Sequence, residues 1–218
     1  MESTISPIVN FFVYEGVPLE TVSLILMLPI IATFIAFLRQ VVGIKAFGIY
    51  TPLLIIFAFL ATDGLRYGIA IFIAVILIGM AMRFVLKPFR LLYLPRVAIM
   101  VSIVAILILF ILVIGGNMKR TGLASVSIFP ILIMITLVEK FITVQIEKGN
   151  KTAIILAFET LLISIAGFYI ASWKFLIDFL IAYPWVTLLT IPFNFALGKW
   201  TGLRLSEYFR FRNVIKKF

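Results

Sequence analysis

A chain of 218 residues that is 64% hydrophobic and only 13% charged departs from water-soluble domains, which are about half apolar and about a quarter charged. Its net charge of +10 lies between apolar runs, so lipid headgroups rather than nucleic acid are the expected anionic neighbours. The absence of cysteine and histidine excludes disulfides, thiolate nucleophiles, Cys/His metal centres and imidazole bases, and no cofactor is expected.

Residues 1–20 carry Glu2, Glu15 and Glu20, and no positive stretch precedes the first apolar run, so they read as an extracytoplasmic segment and not a secretory signal. Within it "EGVPLETVS" (15–23) is expected to be loop, with Pro18 close to a helix start. Seven continuous apolar runs then follow across 21–199, which predicts an all-α integral membrane protein, a seven-transmembrane helix bundle; a β-barrel would alternate instead. The first span covers 21–38 and contains Pro29, and the second covers 46–61 before "TDG", where Asp63 is placed to cap the next helix. The third runs 68–86, the fourth 95–114, the fifth 123–138 and the sixth 152–171. The seventh falls within 175–197 and is broken at Pro184, with "WKFLIDFLIAY" lying along the interface before the crossing begins. Residues 200–218, with aromatics interleaved among cations, read as a basic interfacial helix at the cytoplasmic surface.

Charge orients these spans. With the N-terminus out and the C-terminus in, Arg39, Lys45, Arg83, Lys87, Arg90, Arg96, Lys140, Lys148, Lys151 and the six cations from Lys199 onward face the cytoplasm. That is fifteen of the nineteen Lys and Arg residues. Arg66, Lys119, Arg120 and Lys174 fall outside, a split that follows the positive-inside rule and would be lost with one span fewer.

Two segments share a pattern: "GIYTPLLIIFAF" (48–59) and "VSIFPILIMITL" (126–137) each enter an apolar run through a proline. A 16-residue span rises about 24 Å against a hydrocarbon core of about 30 Å, so both are expected to be short. Pro52 and Pro130 are therefore read as marks of broken helices around a central site. Spans two to four and five to seven are read as a 3+3 inverted repeat. The alternative is ordinary prolines in membrane helices.

Among ionisable residues, Glu159 stands out. It lies seven residues past Thr152, about 10 Å below the inner surface, where a carboxylate needs a cation or a proton. It is either a proton- or cation-linked site or a locally paired acid. Glu139 is expected to meet a cation from another inner loop, Arg96 or Arg204, with a structural ion pair as the plainer reading. Arg83, Lys87, Arg90 and Arg96 form a basic rim whose simplest role is topology and contact with anionic lipid. Arg204, Arg210 and Arg212 of the tail are placed with them. Enzymatic readings find little: there is no base for a serine nucleophile, Asp63 and Asp178 both fall at the outer boundary, and no phosphate-binding glycine loop occurs.

Four stretches occur in order: "RQVVGIKAFGIYTPLLIIFAF" (39–59), "LLYLPRVAI" (91–99), "SIFPILIMITLVEKF" (127–141) and "LGKWTGLRLSEYFRFR" (197–212). Together they resemble the seven-transmembrane module usually fused to an inactive transglutaminase-like domain in bacterial membrane proteins. The resemblance implies a bacterial cytoplasmic (inner) membrane location and association with ATP-grasp peptide-ligase systems. No transglutaminase-like domain precedes the first span, so the resemblance also implies that such a domain acts as a separate partner here or is absent. Glu139 lies inside one matching stretch. Two readings stand: a non-enzymatic scaffold or partner component of a peptide-ligase-linked system, and a small permease using the proline-entered helices and Glu159. An intramembrane hydrolase is a distant third, and oligomeric state is left open.

Overall fold

The computed structural model describes residues 5–62, 65–86, 89, 92–117, 128–200, 202 and 205, and among these every regular element is helical. The chain divides into two compact units, Met1–Leu53 with Tyr169–Phe218, and Leu54–Phe168.

In the first unit, the residues ahead of the first span are not all loop. "PIVNFFVY" forms a helix, α1 (Pro7–Tyr14), opened by a proline whose missing amide has no acceptor in a first turn anyway. Its one buried side chain, Val9, packs with Val22 and Ile181, and the Ser6 amide donates to the Ile181 carbonyl at 3.2 Å. Tertiary contact thus holds a segment too short to be helical alone. Helix α2 (Leu19–Phe37) starts after Pro18, as expected, so Leu19–Ser23 are helical and not part of the loop expected over 15–23, and Glu20 lies in its first turn where a carboxylate suits the helix dipole. Pro29 lies inside α2, and the Thr33 hydroxyl donates to the Pro29 carbonyl at 2.8 Å. The helix ends in a π turn, Leu38–Val42, where the amides of Gly43 and Ile44 both donate to the Leu38 carbonyl; Gly43 takes φ 87°.

The last span is broken where the sequence places the break. Helix α8 (Lys174–Ala182) is followed by a 3₁₀ segment, Pro184–Leu189, which continues into α9 (Thr190–Gly198), and the two arms meet at 101°. Val22 near the start of α2 touches Ile181 before the corner. Thr33 near the end of α2 accepts a hydrogen bond from Asn194 in the middle of α9. The post-corner arm therefore runs parallel to α2.

Between these, α3 (Tyr50–Leu60) has only 11 residues, so it rises about 16 Å and is shorter than the expected 46–61 span. Within it Thr51, Pro52, Leu53, Ile55, Ile56, Ala58 and Phe59 are all buried, so its burial is not confined to one stripe. In the second unit, α4 (Leu65–Leu86), α5 (Tyr93–Asn117) and α6 (Ile128–Lys148) pack against one another. Gly68 on α4 lies against the ring of Phe59, and Gly79 against Phe141 and Val138 of α6.

The fifth span needs correction. It is not short: α6 runs 21 residues and continues ten past Val138, through Glu139 and Lys140 to Lys148. Its buried stripe explains why. Pro130, Ile133, Met134, Leu137, Val138, Phe141, Ile142 and Gln145 repeat at three- and four-residue spacing, so the inward face stays covered well beyond the charged pair. Gly149, at φ 86°, alone joins α6 to α7 (Asn150–Ala171). By themselves, two helices among the described residues are long and apolar enough to cross a membrane, Leu19–Val42 and Asn150–Ala171, and the bent pair after Lys174 makes a third.

Candidate functional site

The candidate residues fall on several helices. Pro52 and Pro130 are each the third residue of a helix, α3 and α6, and both are buried. Pro52 follows a described turn, so it starts α3, where the amide that proline lacks has no intrahelical acceptor; residues 118–127, ahead of Ile128, lie outside the described ones. The break within an apolar span is at Pro184. Arg96 is the fourth residue of α5 and half-buried. Its amide donates to the Leu92 carbonyl at 3.2 Å, and its Nε is buried with no hydrogen-bond partner among the described residues.

Glu139 and Glu159 lie equally far along their own helices from the Gly149 connection. Glu139 is nine residues before the end of α6 and Glu159 nine after the start of α7, so each is about 14 Å along its axis from the Gly149 connection. Both side chains are half-buried, whereas neighbouring Lys140 and Phe158 are exposed. Glu139 therefore stands in the middle of a helix and does not close one. Among the described residues no group of three or more acidic side chains could hold a metal ion.

Helix α7 shows a feature that the search for charged groups missed. Ala153, Ala157, Thr160, Ser164, Gly167 and Ala171 form a buried stripe of small residues, and Thr160 and Ser164 are fully buried. Their hydroxyls donate to the carbonyls of Leu156 at 2.6 Å and Thr160 at 2.8 Å. Opposite lie exposed Ile154, Ile155, Phe158 and Leu162. Small side chains at this spacing let helix backbones approach closely in a membrane. The pattern is legible in the letters alone once the spacing of Ala, Ser, Thr and Gly is counted.

The same back-bonding recurs at Thr33, Ser102, Thr136 and Thr143, each of which donates to the carbonyl four residues earlier. A second polar contact missed from sequence joins two helices of the first unit. The Asn194 amide nitrogen donates to Thr33 Oγ1 at 2.7 Å and to the Thr190 carbonyl at 2.8 Å. Nearby, Lys199 Nζ lies 4.5 Å from the centre of the Phe195 ring.

Several expected sites lie outside the described residues: Asp63, Lys87, Arg90, Arg204, Arg210, Arg212 and the side chain of Arg83.

A family model described as seven transmembrane helices usually fused to an inactive transglutaminase matches residues 2–215, nearly the whole chain. No curated protein and no solved structure matches.

Proposed function

Because this chain belongs to the family of seven-transmembrane modules usually fused to an inactive transglutaminase, we propose that it is a non-enzymatic membrane scaffold that holds partner proteins at the bilayer. The observation that carries the reading is the buried face of α7, where Ala153, Ala157, Thr160, Ser164, Gly167 and Ala171 form a stripe of small residues suited to close helix packing. The partners fitting this role are a transglutaminase-like domain outside and an ATP-grasp peptide ligase on the cytoplasmic side of a bacterial inner membrane. The ligase rests on the family resemblance.

The proposed arrangement has residues 1–20 outside, the bundle over 21–199 and the basic tail 200–218 inside. The parallel course of α2 and the final arm supports it. Arg96, and the cations Arg83, Lys87, Arg90, Arg204, Arg210 and Arg212, then contact anionic lipid of the inner leaflet.

A second reading, a small permease, draws on the 101° break at Pro184 and on Thr187, whose buried hydroxyl has no hydrogen-bond partner among the described residues. In that reading Glu159 carries the coupling proton or cation, and spans two to four repeat five to seven in inverted order. The matching positions of Pro52 and Pro130 favour the repeat, while the unequal lengths of α3 and α6, 11 and 21 residues, speak against it.

Reconstitution separates the two. The scaffold predicts that proteoliposomes take up labelled amino acids and short peptides no faster than empty ones, and that a purified ATP-grasp ligase from the same cell floats with the loaded vesicles. Uptake that Glu159→Gln abolishes would establish the permease and remove the scaffold reading.

A further inference from the structure

Helix α8 presents three different faces. At about 100° per residue, Phe175, Phe179 and Tyr183 lie on one stripe, Lys174 and Asp178 on the next, and Ile177, Leu180 and Ile181 on a third. The third stripe is the one packed inward, with Ile177 and Ile181 against Val9 and Val22. The other two are open: Phe175 is 69% exposed and Tyr183 50%, and Lys174 and Asp178 are exposed beside them.

The aromatic stripe is continuous. Phe175 and Phe179 stack with ring centres 6.5 Å apart, Phe179 and Tyr183 meet at 5.4 Å, and Trp173 approaches Phe175 at 6.0 Å. Helix α1, tied to the same place by Val9 and by the Ser6–Ile181 hydrogen bond, adds exposed Ile8, Phe11, Phe12 and Tyr14.

The corner decides how this surface meets the membrane. The arm after Pro184 runs along α2, one of the helices long enough to cross, so a helix at 101° to that arm lies close to the membrane plane. From that position its three stripes meet three media. One side is against the protein, the Lys174–Asp178 edge is turned to water, and the ring stripe is turned into the acyl boundary. Tryptophan and tyrosine stand at the two ends of the ring stripe, where amphipathic rings are favoured at headgroup depth.

We propose that α1 and α8 together form an interfacial ledge that embeds in the headgroup–acyl boundary of the leaflet at the N-terminal side of α2, with lipid as its occupant. The ledge anchors the depth of the first and last spans at one surface, and it is independent of whether the bundle scaffolds or transports.

The chain has no cysteine, so single probes need no background substitution. Nitroxide labels at Lys174→Cys, Phe175→Cys, Asp178→Cys and Phe179→Cys, with Ile191→Cys as the span reference, are read in phosphatidylethanolamine/phosphatidylglycerol vesicles. Collision with oxygen is compared with collision with a water-soluble nickel chelate. Positions 175 and 179 are expected to favour oxygen by at least about threefold over 174 and 178, and to lie shallower than 191. Equal chelate access at all four positions would overturn the ledge, since α8 would then stand in water. Shielding from both reagents at all four would also overturn it, by placing a protein or a second copy on the face. In the unlabelled Trp185→Phe/Trp200→Phe variant, Trp173 emission is expected to be quenched by lipids brominated near the carbonyl; unquenched emission would count against lipid as the occupant.

Discussion

Replacing Gly68 by alanine tests a close approach between α4 and α3 at the Phe59 ring. A Cβ there would press into Cδ1 of Phe59, with Cε1 at 3.0 Å and Cγ at 3.2 Å, so it meets the ring along an edge and not at a flexible tip. Phe59 is fully buried, and so the ring has nowhere to rotate without displacing neighbours. Overpacking of this kind costs about 1–3 kcal/mol, and the three close atoms put it at the upper end. Alanine returns about 0.9 kcal/mol in helix propensity, leaving a net loss of about 1–2 kcal/mol. For a chain of this size that lowers the melting temperature by about 2–8 °C. Gly79 supplies the internal comparison: its Cβ would lie 3.3 Å from Phe141 Cδ1, a mild compression that the propensity gain nearly cancels, so Gly79→Ala is expected to melt close to the parent. The assay is thermal unfolding in nanodiscs, with Phe59→Leu added to complete a double-mutant cycle. Trimming the ring should relieve the alanine and give a coupling of about 1 kcal/mol or more. A Gly68→Ala protein as stable as the parent, with no coupling to Phe59, would refute the packing of α4 on that ring.

The Thr33–Asn194 contact predicts a coupling of about 0.6 kcal/mol, the usual size for interhelical hydrogen bonds in a membrane, in a Thr33→Val/Asn194→Leu cycle read by the same melts. Pro52→Ala should change stability by less than about 1 kcal/mol, because a first-turn proline sacrifices no helical hydrogen bond; a large change would restore the reading of a strained break. On α7, Ser164→Leu should destabilise by about 2 kcal/mol or more by forcing bulk into a fully buried small-residue stripe, whereas Leu162→Ala on the open face should be nearly neutral in melts. Glu159→Gln should leave solute flux at the level of empty vesicles, since parent and variant alike are expected to transport nothing.

Composition and periodicity were enough for the seven apolar segments, their order, the helix start after Pro18 and the break at Pro184, because hydrocarbon demands internally satisfied backbone and proline cannot continue a helix. The four ordered stretches from 39–59 to 197–212 were enough for the family. Tertiary contact decided what local pattern could not. Residues 7–14 are helical because Val9 finds Val22 and Ile181, and α6 continues through Glu139 and Lys140 because its other face stays covered to Gln145. Asn194 reaches Thr33, 161 positions away in the chain, a pairing that no window of neighbouring letters contains. A sequence records what each segment must hide or expose; which surface does the hiding is fixed only when distant segments meet.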